Sequence, residues 1–247
     1  QGVRKLLPGY ALEFRHGRVL REWRYRDINF NPQNINVTQA TQQVAKAVQI
    51  AVQRQMVADV PLGAFLSGGL DSSAVVAFAQ QTLNNEGKNQ RLQCFTIEVT
   101  DNSTEVEGFA DDLPYARQVA QHLGVDLHTV QAGREMMDRL PEMVYQLDEP
   151  TPDPAALNTL LIAELARSQG IKVLLSGAGG DDIFTGYRRH FALTQERWWA
   201  TWPASIRRCL AAGSGVLPVA GPLGRRIAKA FKYAGLDTDH RMVGYFL

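Results

Sequence analysis

Apolar residues along this chain fall into short runs and helix-spaced stripes that alternate with one another. Residues 10–14 and 19–25 read as two strands, and the Arg15-His16-Gly17-Arg18 stretch between them suits a hairpin turn. Residues 29–36 are polar and contain Pro32, as expected of a linker. Over residues 37–57, Val44, Val48, Ala51, Val52 and Met56 recur at helical spacing and predict one amphipathic helix. A repeating unit follows. Apolar runs at 60–66, 92–99, 126–130 and 171–175 predict strands, and residues 74–83, 114–123, 135–147 and 155–167 predict the helices between them. Pro114 suits a helix's first turn, and Gly170 closes the last of these helices. In the 135–147 helix, Met136, Met137, Leu140, Met143, Val144 and Leu147 form the expected buried stripe, read as core rather than as a binding surface. Strands alternating with helices at this spacing predict an α/β fold: an open parallel sheet with helices on both faces, preceded by a β-hairpin. Beyond Ile183 strand signals stop. The remainder, with Trp198, Trp199 and Trp202, reads as a helical C-terminal tail, interrupted by a Gly/Pro-rich loop at 213–224.

Composition narrows this picture without changing it. The 247 residues are 45% hydrophobic and 21% charged, a balance that excludes intrinsic disorder and is ample for a buried core. No apolar run approaches the ~18 residues of a membrane-spanning helix, and no basic-then-apolar secretory signal opens the sequence. Cys94 and Cys209 are too few for a disulfide framework, which makes a reducing, cytoplasmic setting the default; both are expected as small buried residues. A formal net charge of +1 argues against a dedicated nucleic-acid binder. That neutrality is uneven: residues 183–247 hold ten Lys+Arg against three Asp+Glu, so the tail carries +7 and the rest −6. The simpler reading of the tail is a solvated basic helical surface.

The chemistry concentrates after two of the predicted strands. Open parallel sheets bind ligands outside the carboxyl ends of their strands. The first such loop is Ser67-Gly68-Gly69-Leu70-Asp71-Ser72-Ser73. Its glycines let the backbone approach a ligand, and the helix that follows offers free N–H groups and a positive dipole end to an anion. An aspartate in such a loop would repel a phosphate unless a cation lay between them, so Asp71 points to Mg²⁺. The loop is neither a Walker A motif nor GxGxxG, and taken alone Asp71 or Ser72 could be no more than a helix N-cap. The second loop, Ser176-Gly177-Ala178-Gly179-Gly180-Asp181-Asp182, repeats the design at another strand end. Together the two could hold a polyphosphate and its metal from opposite sides, with Asp71 and Asp181 as metal ligands.

The first loop resembles the pyrophosphate-loop motif of the ATP pyrophosphatases, the group that includes asparagine, NAD and GMP synthetases. The second, continuing through Ile183-Phe184-Thr185-Gly186-Tyr187-Arg188-Arg189, is similar to the second signature of the synthetase domain of glutamine-dependent asparagine synthetases. Asp148-Glu149-Pro150, Asp112-Leu113-Pro114-Tyr115-Ala116 and the opening Leu6-Leu7-Pro8-Gly9-Tyr10 also resemble that family. The resemblance runs from about residue 3 to about residue 190 and implies the adenine nucleotide alpha-hydrolase, or PP-loop, type of sheet. It implies a hairpin and linker at 1–36 from the region joining a glutaminase domain, an ATP-binding synthetase domain at 37–190, and a helical extension at 191–247. It also implies ATP and Mg²⁺, with Leu66, Ser67, Gly68, Gly69, Asp71, Ser72, Ser73, Ile97, Ser176 and Gly177 against the nucleotide. The implied reaction adenylates a small carboxylate, aspartate being favoured, and ammonia then forms the amide. Asp71, Asp181 and Asp182 are the expected catalytic carboxylates.

Three departures from the family pattern keep alternatives open. Ala178 stands where asparagine synthetases carry a catalytic Glu and many sister amidotransferases an Asp, so the acceptor could be a carboxylate other than aspartate. The first residue is Gln1 rather than the family's nucleophilic cysteine, so ammonia is expected from a glutaminase domain outside this stretch. The sequence ends in the apolar run 242–247, short of the family's lysine, which reads as part of a longer enzyme. A nucleotide-binding module without catalysis is the alternative from another class. Its weakness is the retention of paired metal-type carboxylates. Oligomeric state, a homodimer included, is not fixed by the sequence. None of the five histidines forms a metal-ligand spacing; Arg188, Arg189 and His190 could meet phosphate, though a solvated helix face is the simpler reading.

Overall fold

The structure is a computed structural model that describes residues 3–88, 90–99, 112–147, 153, 155–194, 196, 198, 201–214 and 231–244. The chain forms two compact units, Gln1–Lys46 and Ala47–Leu247.

In the first unit, β1 (Tyr10–Arg15) and β2 (Arg18–Arg24) pair antiparallel around a two-residue turn that sets Arg15 opposite Arg18. The turn residues, His16 at φ 49° and Gly17 at φ 75°, are both left-handed, the geometry whose twist suits a tight hairpin. The polar stretch that follows is exposed and irregular up to Asn36. There the Asn36 carboxamide oxygen accepts from the Gln39 amide at 2.9 Å, and Gln39 Oε1 accepts from the Asn36 amide at 3.3 Å. This reciprocal cap starts α1 (Val37–Gln55), the helix that the apolar spacing predicted.

The second unit contains a four-stranded sheet in the order β5-β4-β3-β6, with every neighbouring pair parallel. The strands are β3 (Leu62–Phe65), β4 (Gln93–Val99), β5 (Asp126–Ala132) and β6 (Val173–Leu175). The crossovers are α2 (Leu70–Asn85), α3 (Leu113–Leu123), and a pair, α4 (Leu140–Gln146) and α5 (Ala155–Ser168). The pleat sends alternate residues to opposite faces. Ala64, Leu66 and Cys94 join Val52 of α1, Val76 and Ala79 of α2, and Ala116 and Ala120 of α3 in one core cluster. Phe65, Phe95 and Ile97 join Ile162, Leu165 and Ala166 of α5 in the other. The sheet is therefore covered on both faces, as the alternating pattern predicts.

Two polar devices bind helices to this frame. The buried Gln80 of α2 accepts from the Leu92 amide at 2.8 Å and donates to the Gln90 carbonyl at 3.1 Å, satisfying backbone groups just ahead of β4. Arg139 forks between Glu142 and Glu164, 2.6 Å from each, linking the start of α4 to α5. That guanidinium also lowers the Glu164 carboxyl from its ordinary range.

Two sequence readings are corrected here. The continuous helix expected at 135–147 is a 3₁₀ segment, Arg134–Arg139, followed by α4. Pro141 is the reason: it lacks an N–H and its ring opposes the carbonyl four residues back, so an α-helix cannot run through it. The break resets the helical register, leaving Met143 buried while Met137 is 54% and Val144 46% exposed. Cys209, expected to be buried, is exposed on α8 (Ala204–Ser214). Arg207, Leu210, Ala211 and Ser214 are that helix's less exposed positions, at spacings of three, four and seven, and Cys209 falls outside the stripe.

The regular elements described from α6 (Gly180–Ile183) onward are all helices, α7 (Arg188–Thr194), α8 and α9 (Thr238–Gly244), joined by turns and irregular segments. The expected loop at 213–224 begins inside α8, and its residues from 215 on lie outside the described ones. Within this basic segment Arg241, 1% exposed, is paired with the buried Glu196. One of the tail's cations is thus neutralised internally.

Two measurements check this packing. Phe95 is fully buried and Phe191 is 70% exposed. Phe95→Ala should cost about 3–5 kcal/mol in urea unfolding, and Phe191→Ala less than about 0.5 kcal/mol. Burial, with the negative charge of Asp126 adding to it, pushes the Cys94 thiol up to about 12. A thiol reagent at pH 8 should therefore label one cysteine in the native protein, Cys209, and two in denaturant. Since the folded state keeps the proton that the unfolded thiol loses, stability should fall as pH rises from 9.0 toward about 12.

Candidate active site

The strand order reverses at β3. The chain moves from β3 to β4 and β5 on one side, and β6 returns to pair with β3 on the other. The loops leaving β3 and β6 therefore open next to each other at the carboxyl end of the sheet, at the topological switch point.

After β3 and the buried Leu66, residues 67–69 make a tight connection and α2 begins at Leu70. The periodicity placed the helix start at residue 74, because its first turn carries no apolar stripe; Asp71, Ser72 and Ser73 instead lie within that first turn. Gly68 is left-handed at φ 80°, and a Cβ there would lie 2.5–2.6 Å from the Tyr115 and Ala116 backbone in the first turn of α3. The connection is thus seated directly on α3, in the segment 112–116 that the sequence resemblance picks out. Hydroxyls lock its shape. Ser67 and Ser72 Oγ are 3.0 Å apart, the Ser67 amide donates to Ser72 Oγ at 3.3 Å, and Gly69 N donates to Ser67 Oγ at 3.3 Å.

The N-cap of α2 is Gly69, with no side-chain cap. Helix N-termini without a capping side chain offer amide donors and a positive dipole end. Nearby, the hydroxyl of Ser73 is buried and has no hydrogen-bond partner within the protein. An orphaned donor beside an uncapped helix N-terminus fits an anionic group.

The loop after β6 closes over this turn. Ser176 Oγ accepts from the Ala178 amide at 3.1 Å, Gly179 is left-handed at φ 89°, and α6 begins at Gly180. A Cβ on Gly177 would be 2.8 Å from both the Asp71 carbonyl carbon and the Ser72 amide nitrogen. A Cβ on Gly180 would fall on the Asp71 carboxylate, and one on Gly186 would fall on that of Asp181. The second loop therefore lies against the first turn of α2, and Asp71 is in contact with the residue immediately before Asp181. Asp182 follows on the same short helix with its side chain exposed. Consecutive helical residues diverge by about 100°, so Asp181 and Asp182 face different ways.

Most of the sequence-predicted positions are thereby brought to one place: Ser67, Gly68, Gly69, Asp71, Ser72 and Ser73 from one strand end, and Ser176, Gly177, Asp181 and Asp182 from the other. Leu66 and Ile97 differ in kind. The Leu66 side chain is wholly buried in the core, so its backbone is the part turned to the sheet end, and the Leu66 amide donates to the Phe95 carbonyl at 2.9 Å. Ile97 lies on β4 two residues past Phe95, the last residue there to pair with β3. The Asp148-Glu149-Pro150 stretch and the side chains of Arg188 and Arg189 lie outside the described residues. Among the described residues no cluster of three or more His, Cys, Asp or Glu side chains could hold a metal. Two carboxylates from separate loops match Mg²⁺, which takes one or two protein carboxylates and completes its shell with water and substrate phosphates. The residues that sequence reasoning left without a role are Gly180 and Gly186. Their signal was a glycine immediately before Asp181 and another five residues after it.

Comparison with known proteins places the chain in a family. The model of the asparagine synthase family matches residues 43–242. Amidase chyE from Penicillium rubens is 30% identical over 83% of this chain and 32% of its own length. Asparagine synthetase [glutamine-hydrolyzing] 1 from Bacillus subtilis is 29% identical over 87% of this chain and 32% of its own. A putative asparagine synthetase [glutamine-hydrolyzing] from Mycobacterium bovis is 35% identical over 71% of this chain and 25% of its own. The chain thus spans about a third or less of the length of these relatives. The solved NH3-dependent NAD synthetase from Campylobacter jejuni matches at TM-score 0.37 and 9% identity, over 83% of this chain and 96% of that one, a likeness too distant to bear on the site. With the family match covering the whole four-stranded sheet, both glycine loops and nearly all of the tail, the chain belongs to the asparagine synthase family.

Proposed function

We propose that this chain is the carboxylate-activating part of an ATP-dependent amide-forming ligase. The observation that carries the reading is the approach of the second loop to α2: Gly177 on the Asp71–Ser72 backbone and Gly180 on the Asp71 carboxylate. That approach supports the reading because it sets the loop bearing Asp181 against the uncapped first turn of α2 that bears Asp71, a combination suited to a polyphosphate with its cation. The triphosphate of ATP lies along Ser67–Ser73, with Ser73 and the first amides of α2 donating to it. Asp71 and Asp181 would hold Mg²⁺, whose chemistry there would be neutralisation of charge on the phosphates. Leu66, Ile97, Ser176 and Gly177 border the nucleoside.

In the proposed reaction an oxygen of the substrate carboxylate bonds to the α-phosphorus of ATP while the bond to the β-phosphate breaks. Pyrophosphate leaves with that electron pair. Ammonia then attacks the acyl carbon of the adenylate, AMP departs, and one proton is lost from nitrogen. Ala178 cannot take that proton; Asp182, exposed in the same loop, is assigned it. The protein's contribution is positioning and charge neutralisation rather than covalent chemistry. Ammonia comes from a glutaminase domain elsewhere in the enzyme, and the reaction takes place in the cytoplasm.

Aspartate is the favoured acceptor, giving asparagine. One observation favours a second acceptor class: Ala178 leaves the loop without the acidic side chain that the family pattern carries there, and a relative named amidase chyE matches as well as the asparagine synthetases do. The test is pyrophosphate release from ATP with Mg²⁺, ammonia and a panel of carboxylates. Release with aspartate supports asparagine formation, and release confined to another carboxylate supports the second reading. No release with any acceptor, despite ATP binding, would contradict both. Asp71→Asn should lower release by at least about a hundredfold without unfolding the protein. Asp182→Asn should keep a single-turnover burst of pyrophosphate and lose amide formation; equal loss of both would remove Asp182 from the proton step.

A further inference from the structure

The glycines of the second loop divide into two kinds by what a side chain would strike. At Gly177 a Cβ would meet backbone, the Asp71 carbonyl carbon and Ser72 nitrogen at 2.8 Å, so only separation of the two loops could make room. At Gly180 and Gly186 the nearest obstacle is a carboxylate, with the Asp181 Cα a further neighbour of the Gly186 position at 3.3 Å. A Cβ on Gly180 would fall on the Asp71 carboxylate, with Oδ1 at 2.8 Å, and one on Gly186 would fall on the Asp181 carboxylate, with Cγ at 2.9 Å. Neither glycine has a positive φ, so alanine's backbone fits at both. A terminal carboxylate turns about its own torsions at little cost, whereas packed backbone does not.

The corner that carries Gly186 is itself held under strain. Thr185 sits at φ 59°, and a β-branched residue in the left-handed region is a genuine outlier that persists only where the surroundings impose it. Beyond it the chain turns back so that the Gly186 amide donates to the Asp181 carbonyl at 2.9 Å. The left-handed Thr185 thus directly precedes the glycine that lies against the Asp181 carboxylate.

We propose that Gly180 and Gly186 are positioning residues that permit the present orientation of the Asp71 and Asp181 carboxylates by leaving open the space a Cβ would occupy. The proposal rests on the reading of those two aspartates as the cation site. Its test is Mn²⁺ binding in the presence of α,β-methylene-ATP, followed by loss of the free Mn²⁺ signal in electron paramagnetic resonance. Gly180→Ala and Gly186→Ala are compared with Gly213→Ala, whose Cβ would meet nothing within 4 Å. Gly186→Ala and Gly180→Ala should each weaken Mn²⁺ binding by about tenfold, with circular dichroism and unfolding midpoint retained. Gly213→Ala should bind as wild type does. Wild-type Mn²⁺ affinity in Gly186→Ala would overturn the proposal. So would its failure to fold, since the carboxylate, not the backbone, is expected to yield. Absence of Mn²⁺–nucleotide binding in the wild type would instead remove the cation-site reading, and the positioning role with it.

Discussion

The site depends on one steric fact: the backbone of the loop after β6 rests on the backbone of the first turn of α2 with no room for a side chain between them. Gly177 makes that approach, and everything of chemical interest follows from it. It brings Gly180 onto the Asp71 carboxylate and so places the start of α6, with Asp181, beside the N-terminus of α2. A methyl group at position 177 would separate the two loops and lift Gly180 off the Asp71 carboxylate.

That contact is possible because of the sheet beneath it. β3 and β6 are parallel neighbours in register, Ala64 opposite Leu175, so their exits lie at the same height. The register is fixed in turn by two-sided burial, with Ala64 and Leu175 facing one cluster and Phe65 and Leu174 the other. A slip of one residue would exchange the faces of the strand and expose its core side chains. The stability of the core and the geometry of the site are therefore one constraint, seen at two ends of the same strands.

Much of this was legible in the sequence, for reasons that can be named. The strands and crossover helices announce themselves because burial forces a period of two or of 3.6 on their apolar residues. The hairpin turn is legible because His16-Gly17 suits two left-handed residues. The two glycine-serine loops stand out because close backbone approach has no other common solution. What could not be read was long-range. The first turn of α2 carries Asp71, Ser72 and Ser73 where an apolar stripe would otherwise mark it, so periodicity placed the helix start too late. The 135–147 stripe looked continuous because helical spacing ignores the missing N–H of Pro141. Cys209 looked like a core residue by type, but helix register put it outside. Gly180 and Gly186 could be seen as glycines, yet which atoms fill the space beside them is a property of the folded chain alone.

The central claim is that the loops after β3 and β6 form one cation-and-polyphosphate site with a carboxylate from each. A crystal structure with α,β-methylene-ATP and Mn²⁺, the metal located by its anomalous scattering, tests it most directly. The account predicts one metal peak within bonding distance of both Asp71 and Asp181, with the phosphates along the N-terminus of α2. A nucleotide bound away from that turn, or a metal on neither aspartate, would contradict it.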